Sequence, residues 1–209
     1  MNKPFFSVIM PTHNGEKYIR KSLESIRFQT FTDYELIIVC DKCDDNTEAI
    51  AREYTDKVFV IDAGRCALAR NKGLDEATGE WILFIDDDDW FMDSMVFQTI
   101  ADTVGKQGED VLAFSFFWKG HGVARNRKDH LWTAVWNKCW RREFIERIGA
   151  RFPDWAHSDD DGFSKFCHQK AKIAFLDQCL YFYNFMREGS LTWQIEKGLI
   201  SGDFPGKNT

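Results

Sequence analysis

The chain has 209 residues, with 44% hydrophobic residues, 29% charged residues and a formal net charge of −6. That length and balance fit one globular domain with a sizeable core, not a disordered segment. The acidic excess excludes a non-specific nucleic-acid binder, which needs a basic face, and the longest apolar run, Val111 to Trp118, is far too short to span a bilayer.

Strand and helix signals alternate from the start. Phe5 to Met10 is a continuous apolar run that stops at the turn cluster Pro11-Thr12-His13-Asn14-Gly15. Ile19, Leu23 and Ile26 then recur at helical spacing. Glu35 to Cys40 is a second buried strand, ending at Asp41, and Asp45 or Asn46 caps a helix reaching Tyr54. Lys57 to Ile61 forms a third strand, Cys66 to Ala77 a helix, Trp81 to Ile85 a fourth strand and Asp93 to Val104 the next helix. Continuous apolar strands alternating with helices predict a doubly wound parallel sheet. Beyond this point the pattern loosens. Val111 to Phe117 is a strand, Gly120 to His130 a polar loop, Arg141 to Ile148 a short helix, Phe163 to Phe166 helical, and Leu180 to Phe185 a late strand. Ser201 to Thr209 reads as a frayed end.

Asp86, Asp87, Asp88 and Asp89 follow the fourth strand directly. Like charges this close repel and resist losing water, and a hard divalent cation relieves both costs. The competing reading is a solvated acidic turn. A second acidic group, Asp159-Asp160-Asp161, precedes the late helix. Acids also favour helix N-termini, so one or two of these three can be caps while the remaining one does chemistry. An EF-hand fails there, because its positions 1 and 12 would be His157 and His168. In a doubly wound sheet the strand ends converge on one edge, where such folds bind ligands. Of the six cysteines only Cys40 and Cys43 have C-x-x-C spacing, and no second pair completes a zinc site. All six read as reduced thiols in a cytoplasmic protein.

The segments SVIMPTHNGEKYI (7–19), ELIIVCDKCDDNT (35–47), ALARNKGLDEATGEWILFIDDDDW (67–90), VWNKCWRREFI (135–145), DDDGF (159–163) and YFYNFMREGSLT (181–192) together resemble a family 2 glycosyltransferase of the GT-A fold. The resemblance implies an α/β fold with a doubly wound, mostly parallel central sheet flanked by helices and a smaller mixed C-terminal acceptor-side region. It implies one domain: a nucleotide-sugar-binding half at 1–104, an acceptor and catalytic-base half at 105–192, and a tail at 193–209. It places Pro11, Thr12, Asn14, Asp41, Arg70, Asp86 and Asp87 at the nucleotide sugar, with Asn71 beside them. Arg70 would touch the diphosphate or the base; its bland alternative is a solvated helix arginine. Asp86-x-Asp88 matches the D-x-D motif, with Asp88 the leading ligand for Mn²⁺ or Mg²⁺ and Asp86 on ribose or metal. Asp87 and Asp89 shape the turn in a second reading. Asp160 falls on the catalytic base, with Asp159 and Asp161 as alternatives. Trp136, Asn137, Lys138, Trp155 and Arg187 fall on the acceptor side, and Arg187 also lies on a loop near the diphosphate. His157 adjoins Trp155, and His13 reads as structural. Cys40 and Lys42-Cys43 depart from the Asp and Gly-Ser that the family carries around Asp41.

The implied activity is inverting transfer of a sugar from a nucleotide-diphosphate sugar, UDP-linked by preference, to a hydroxyl of a glycan or lipid-linked acceptor in surface polysaccharide synthesis. The chain is expected in the cytoplasm or peripherally at the inner face of the membrane, with a homodimer left open. The rivals are a non-catalytic nucleotide-sugar-binding module, a sugar-1-phosphate nucleotidyltransferase and a D-x-D phosphatase. The first turn has one glycine and no basic loop, against the second rival, and Trp90 follows the acids, against the third.

Overall fold

The computed structural model describes residues 3–155, 158–188 and 190–199. A nine-stranded sheet runs through them in the order β3-β2-β1-β4-β8-β6-β9-β5, with β7 attached to β6.

The first half follows the apolar periodicity. β1 (Phe6–Thr12) is buried at every residue. It pairs in parallel with β2 (Tyr34–Asp41) and with β4 (Trp81–Phe84), and β2 pairs in parallel with β3 (Val58–Ile61). The register sets Thr12 against Cys40 and Asp41 against Ile61, so these strands end level. α1 (Ile19–Arg27) buries Ile19, Ser22, Leu23 and Ile26, the stripe expected of a helix lying on a core. α2 (Thr47–Arg52) starts where the Asp45 carboxylate accepts the Thr47 N–H at 2.9 Å. α3 (Cys66–Glu76) lies close on β1 because Gly73 faces Ile9; a Cβ there would stand 2.3 Å from Ile9 Cγ2.

The second half turns the sheet mixed. β8 (Lys138–Arg141) is antiparallel to β4 and to β6 (Val111–Trp118), and β9 (Ile173–Tyr183) is parallel to β6. β5 (Trp90–Phe91), immediately after the four aspartates, is antiparallel to the far side of β9. Its Trp90 ring stacks on Phe182 at 4.0 Å, and Phe182 on Phe117 at 5.2 Å. The Phe91 N–H also donates to Ser25 of α1, so the sheet curls back over the first half. One apolar core spans both halves.

Several boundaries differ from the sequence reading. The loop at 120–130 contains β7 (Gly122–Ala124), a hairpin partner of β6. β8 had no sequence signal as a strand, because its first residue is a buried lysine. β9 begins at Ile173 instead of Leu180, and its register slips around Ser115, which leaves Asp177 in a bulge. α4 spans only Val96–Ala101, since Asp93 and Ser94 form the turn before it and Asp93 accepts the Met95 N–H. α5 (Arg142–Ile148) ends on Gly149 at φ 64°. α6 covers Asp159–His168, and α7 (Leu191–Glu196) crosses the expected start of the tail. The stretch read as frayed, Ser201 to Thr209, lies outside the described residues, as does His157. All six cysteines are free thiols. Among the described residues no helix is long and apolar enough to cross a membrane.

Candidate active site

The acidic loop after β4 is held from three sides. From below, the Ser22 hydroxyl of α1 donates to the carbonyls of Asp87 and Asp89. From β1, the Thr12 hydroxyl donates to Asp87 Oδ2. From β9, the Tyr181 hydroxyl accepts the Asp86 N–H at 3.2 Å and donates to Asp89 Oδ2 at 2.8 Å, while Asp89 Oδ1 accepts the Asn184 N–H at 2.8 Å. Asp89 is fully buried, and burial drives its carboxyl far above the usual range. It is therefore a structural anchor. Asp87 is also buried, and burial followed by the Asp88 charge lifts it to about 7. Asp86 and Asp88 are left as the two carboxylates at the rim of the strand edge, as the D-x-D alternation requires.

Arg70 links this loop to α6. It is 4% exposed, so it is not a solvated helix arginine. One guanidinium nitrogen reaches Asp86 Oδ1 at 2.9 Å; the other reaches Asp159 Oδ2 at 2.7 Å and Asp160 Oδ1 at 3.1 Å. The two acidic groups, 73 residues apart between Asp86 and Asp159, thus meet across one guanidinium. Of the α6 acids, Asp159 keeps 11% of its side chain exposed and Asp160 26%. Burial raises the Asp160 carboxyl, opposed by Arg70, and the Val135 N–H donates to it. Asp161 turns outward to Lys165 at 2.5 Å and to the Thr133 hydroxyl, which hold it low. An outward ion pair therefore describes Asp161, the closer pairing with Arg70 describes Asp159, and Asp160 is the member of the three with both exposure and a raised proton affinity.

Arg187, on the segment after β9, completes the rim. Its Nε donates to Asp88 Oδ2, its Nη2 lies 3.8 Å from Asp87 Oδ1, and its guanidinium covers the Tyr18 ring at 4.6 Å. Five carboxylates (Asp86, Asp87, Asp88, Asp159 and Asp160) face two guanidiniums here. Burial, opposed by Arg70 and aided by the Asp160 and Asp88 charges, lifts Asp86 to about 6. That surplus of oxygen charge suits a hard divalent cation on Asp86 and Asp88. Among the described residues no three His, Cys, Asp or Glu side chains form a cage, so such an ion would complete its shell with phosphate oxygens and water.

Residues 7–173 match the glycosyl transferase family 2 domain. The chain belongs to this family. It is 31% identical over 212 residues to the putative glycosyltransferase EpsH of Bacillus subtilis (strain 168), covering 88% of this chain and 61% of EpsH. It is 28% identical over 207 residues to the poly(ribitol-phosphate) beta-N-acetylglucosaminyltransferase TarS of Staphylococcus aureus, covering 88% of this chain and 36% of TarS. The crystal structure of S. aureus TarS 1-349 in complex with UDP-GlcNAc aligns with a TM-score of 0.79 at 27% identity, over 90% of this chain and 60% of that one. The mannosyltransferase PcManGT of Pyrobaculum calidifontis, in complex with GDP-Man and Mn²⁺, shares the fold at a TM-score of 0.70 and 18% identity, over 98% of this chain and 67% of that one. The chain spans about three fifths of the length of EpsH and of the TarS 1-349 structure.

Several residues that family 2 places at the nucleotide sugar have structural partners here. Pro11 and Thr12 are buried in β1, so only their backbone reaches the edge. Asp87 is likewise turned inward, which fits its second reading as a turn residue. Asp41 is 4% exposed; its Oδ1 accepts the N–H groups of Ala63 and Gly64 at 2.8 Å, and its Oδ2 that of Arg65 at 2.7 Å. It clamps the loop after β3 beneath the edge instead of standing free for a base. Asn14 adopts φ 50° and accepts the Asp44 N–H, and His13 Nδ1 sits 2.7 Å from the Asp41 carbonyl. Asn71 does not face the donor side; it brackets the Phe152 backbone.

Three residues expected on the acceptor side are buried. Trp136 stacks on Tyr181 at 4.7 Å, Asn137 is enclosed, and Lys138 is fully buried, donating to the carbonyls of Trp132 and Ala134 and to Asn137 Oδ1. They brace the site from beneath. Arg187 pairs with the D-x-D loop. Trp155 is 53% exposed and packs against the first turn of α6, where a Cβ on Gly162 would meet its ring at 2.8 Å. Asp89 takes the turn-shaping role of its second reading, whereas Tyr181 and Ser22 were not singled out in the sequence, because an anchor that acts through hydrogen bonds across 60 to 95 residues has no local pattern.

Proposed function

We propose that the chain is an inverting glycosyltransferase that moves a sugar from a nucleoside-diphosphate sugar to a hydroxyl of a glycan or lipid-linked acceptor in surface polysaccharide synthesis. The observation that carries this is the Arg70 bridge, which gathers Asp86 of the D-x-D loop and Asp160 of α6 around one guanidinium. A UDP-linked donor is supported by the UDP-GlcNAc complex of TarS, a relative of the same fold.

Each residue then has a task. Asp86 and Asp88 are the residues that would hold Mn²⁺ or Mg²⁺, which would supply Lewis-acid stabilisation of charge on the departing diphosphate. Arg187, paired with Asp88 in the structure, would donate to the diphosphate from beside those two carboxylates. Asp160 takes the proton of the acceptor hydroxyl as its oxygen attacks the anomeric carbon. Arg70 fixes that carboxylate's direction, and burial raises its affinity for the proton. Attack from the side opposite the diphosphate inverts the anomeric centre, and the transition state has oxocarbenium character.

The test is the melting temperature of the chain with UDP and with UDP-GlcNAc, with and without Mn²⁺, followed by donor turnover with a glycan acceptor. Ligand at about 100 times its dissociation constant adds roughly 2.7 kcal/mol, or several degrees. Asp88→Ala should abolish the Mn²⁺-dependent shift. Asp160→Asn should keep the shift and lose turnover by about 100-fold or more. A shift without turnover on any acceptor would leave a binding module; an Asp160→Asn variant with full turnover would remove Asp160 as the base.

A further inference from the structure

A groove of about 310 Å³ lies between β7 and the segment that follows it, lined by Val123, Arg125, Arg127, Asp129, His130 and Trp132. Its walls are built, not draped. Asn126 is 2% exposed; its amide donates to the Phe114 carbonyl at 2.9 Å and its Oδ1 accepts the Trp132 N–H at 2.9 Å. Arg127 and His130 exchange backbone hydrogen bonds at 2.8 and 3.1 Å, closing a tight turn over Lys128 and Asp129. The Trp132 indole is held edge-on by Phe116, Trp118 and His130. The turn therefore presents its side chains from a fixed frame.

The charge of this segment opposes that of the molecule. Residues 119–130 hold Lys119, Arg125, Arg127 and Lys128 against Asp129 alone, in a chain of net charge −6. Arg125 is shared with Asp177 at 3.0 Å, but the Arg127 guanidinium has no side-chain partner among the described residues. An unpaired arginine beside a tryptophan face is a pairing for an anionic group attached to a sugar: the guanidinium binds the anion in a bidentate fashion and the indole packs on the ring.

The groove also adjoins the proposed base. One residue beyond Trp132, the Thr133 hydroxyl donates to Asp161; three beyond it, the Val135 N–H donates to Asp160. Lys138 Nζ bonds the Trp132 carbonyl from below, at 2.6 Å. The wall of the groove and the Asp160 carboxylate thus belong to one continuous backbone segment.

We propose that this groove is the acceptor subsite and that the acceptor is a phosphate-bearing glycan, its phosphate on Arg127 and Arg125 and its sugar ring on Trp132. This rests on the glycosyltransferase reading. Phosphate is favoured over carboxylate because its three terminal oxygens can face Arg127, Arg125 and His130 from separate directions, whereas both oxygens of a carboxylate are taken up by one bidentate guanidinium. A soluble glycan phosphate is favoured over a lipid surface because the lining is a concave turn with a recessed indole, not a protruding basic-apolar tip.

The test uses the full chain with its donor site filled by UDP and Mn²⁺. Glucose 6-phosphate and glucose are titrated while the Trp132 indole N–H resonance is followed. Glucose 6-phosphate should bind at least about tenfold more tightly than glucose, and Arg127→Gln should remove that advantage, since losing a charge-assisted pair is worth a factor of ten or more. The UDP-induced thermal shift of Arg127→Gln should match that of the unaltered chain, which shows that the variant is folded. Equal binding of the two sugars, or an advantage that survives in the double Arg125→Gln, Arg127→Gln variant, would overturn the proposal. Arg127-dependent binding to phosphatidylglycerol vesicles without any response to glucose 6-phosphate would overturn it in favour of membrane docking. If glucose 6-phosphate binds through Arg127 while neither UDP nor UDP-GlcNAc produces a shift, the transferase reading fails and the groove is an anion site without an acceptor role.

Discussion

Gly15 marks how closely the first turn approaches the acidic loop. A Cβ there would lie 2.3 Å from Asp87 Oδ2 and 2.8 Å from Thr12 Oγ1, so no side chain fits without breaking their hydrogen bond. Gly15→Ala should cost about 1–3 kcal/mol in denaturant unfolding, the usual range for overpacking, and should reduce the Mn²⁺-dependent UDP shift because Asp87 moves against Asp88. A stable variant with an unchanged shift would mean the turn yields easily. His168 offers a second test, read by pH. Its ring stacks on Trp140 at 5.9 Å with Nε2 buried and unpartnered, and burial followed by the Lys138 charge lowers it to about 3. An unfolded histidine titrates near ~6.5. Between these values the unfolded chain binds the extra proton, so the contribution of neutral His168 is complete above the upper value and is lost as pH falls toward the lower one. Denaturation midpoints of the unaltered chain and His168→Phe should therefore diverge on acidification from pH 6.5 to 4, with the variant less sensitive. Parallel curves would show that the ring is protonated without cost.

Among the elements, α6 decides whether the base is well placed. Its first turn carries Asp159 and Asp160, and its fourth residue, Gly162, lets Pro153 and Trp155 pack directly on the helix. Gly162→Ala removes a helix-weakening glycine, yet its Cβ would meet Pro153 Cγ at 2.6 Å and the Trp155 ring at 2.8 Å. We expect donor binding to be unchanged and acceptor KM to rise several-fold as Trp155 is displaced, measured by initial rates at saturating donor. An unchanged acceptor KM would place Trp155 outside the acceptor path. The elements also differ in how far the sequence disclosed them. β1 to β4 and the helices between them were legible, because strands buried on both faces read as unbroken apolar runs and the helices keep their periodicity. β8 was not, since Lys138 at its start is buried and satisfied by three oxygens that only the tertiary fold supplies. Arg70 was placed at the site, but its carboxylate partners were not legible: a guanidinium three carboxylates share looks, in sequence, like any helix arginine. Asp160 was legible only as one of three, until Lys165 and Thr133 claimed Asp161 and Arg70 drew in Asp159.

At the scale of the molecule, two ties bind the parallel half to the mixed half. One is Arg70; the other is Tyr181, whose hydroxyl bridges Asp86 and Asp89 across the curl of the sheet. Tyr181→Phe deletes that hydroxyl and leaves a buried carboxyl short of a donor, a loss of about 1–3 kcal/mol. Unfolding followed by far-ultraviolet circular dichroism and by tryptophan fluorescence should remain coincident in the unaltered chain, as one shared core implies. In Tyr181→Phe the midpoint should drop while the two probes still agree. Separate transitions would mean that the halves fold independently and that the single core is a weak coupling.

β7 has a different standing from every strand discussed so far. Among the described residues it pairs with β6 alone, and the turn after it is tied down by Asn126 and by a half-buried Trp132 at the margin of the core. The donor machinery is woven into the centre of the sheet, where a change at one residue disturbs many others. The hairpin at 119–132 hangs from an edge, where insertion, deletion or replacement leaves that weave intact. Natural variation that retunes what is glycosylated, without altering what is donated, has this hairpin as its cheapest place to act, and a chimera exchanging it between two relatives would inherit the recipient's donor and the other's acceptor.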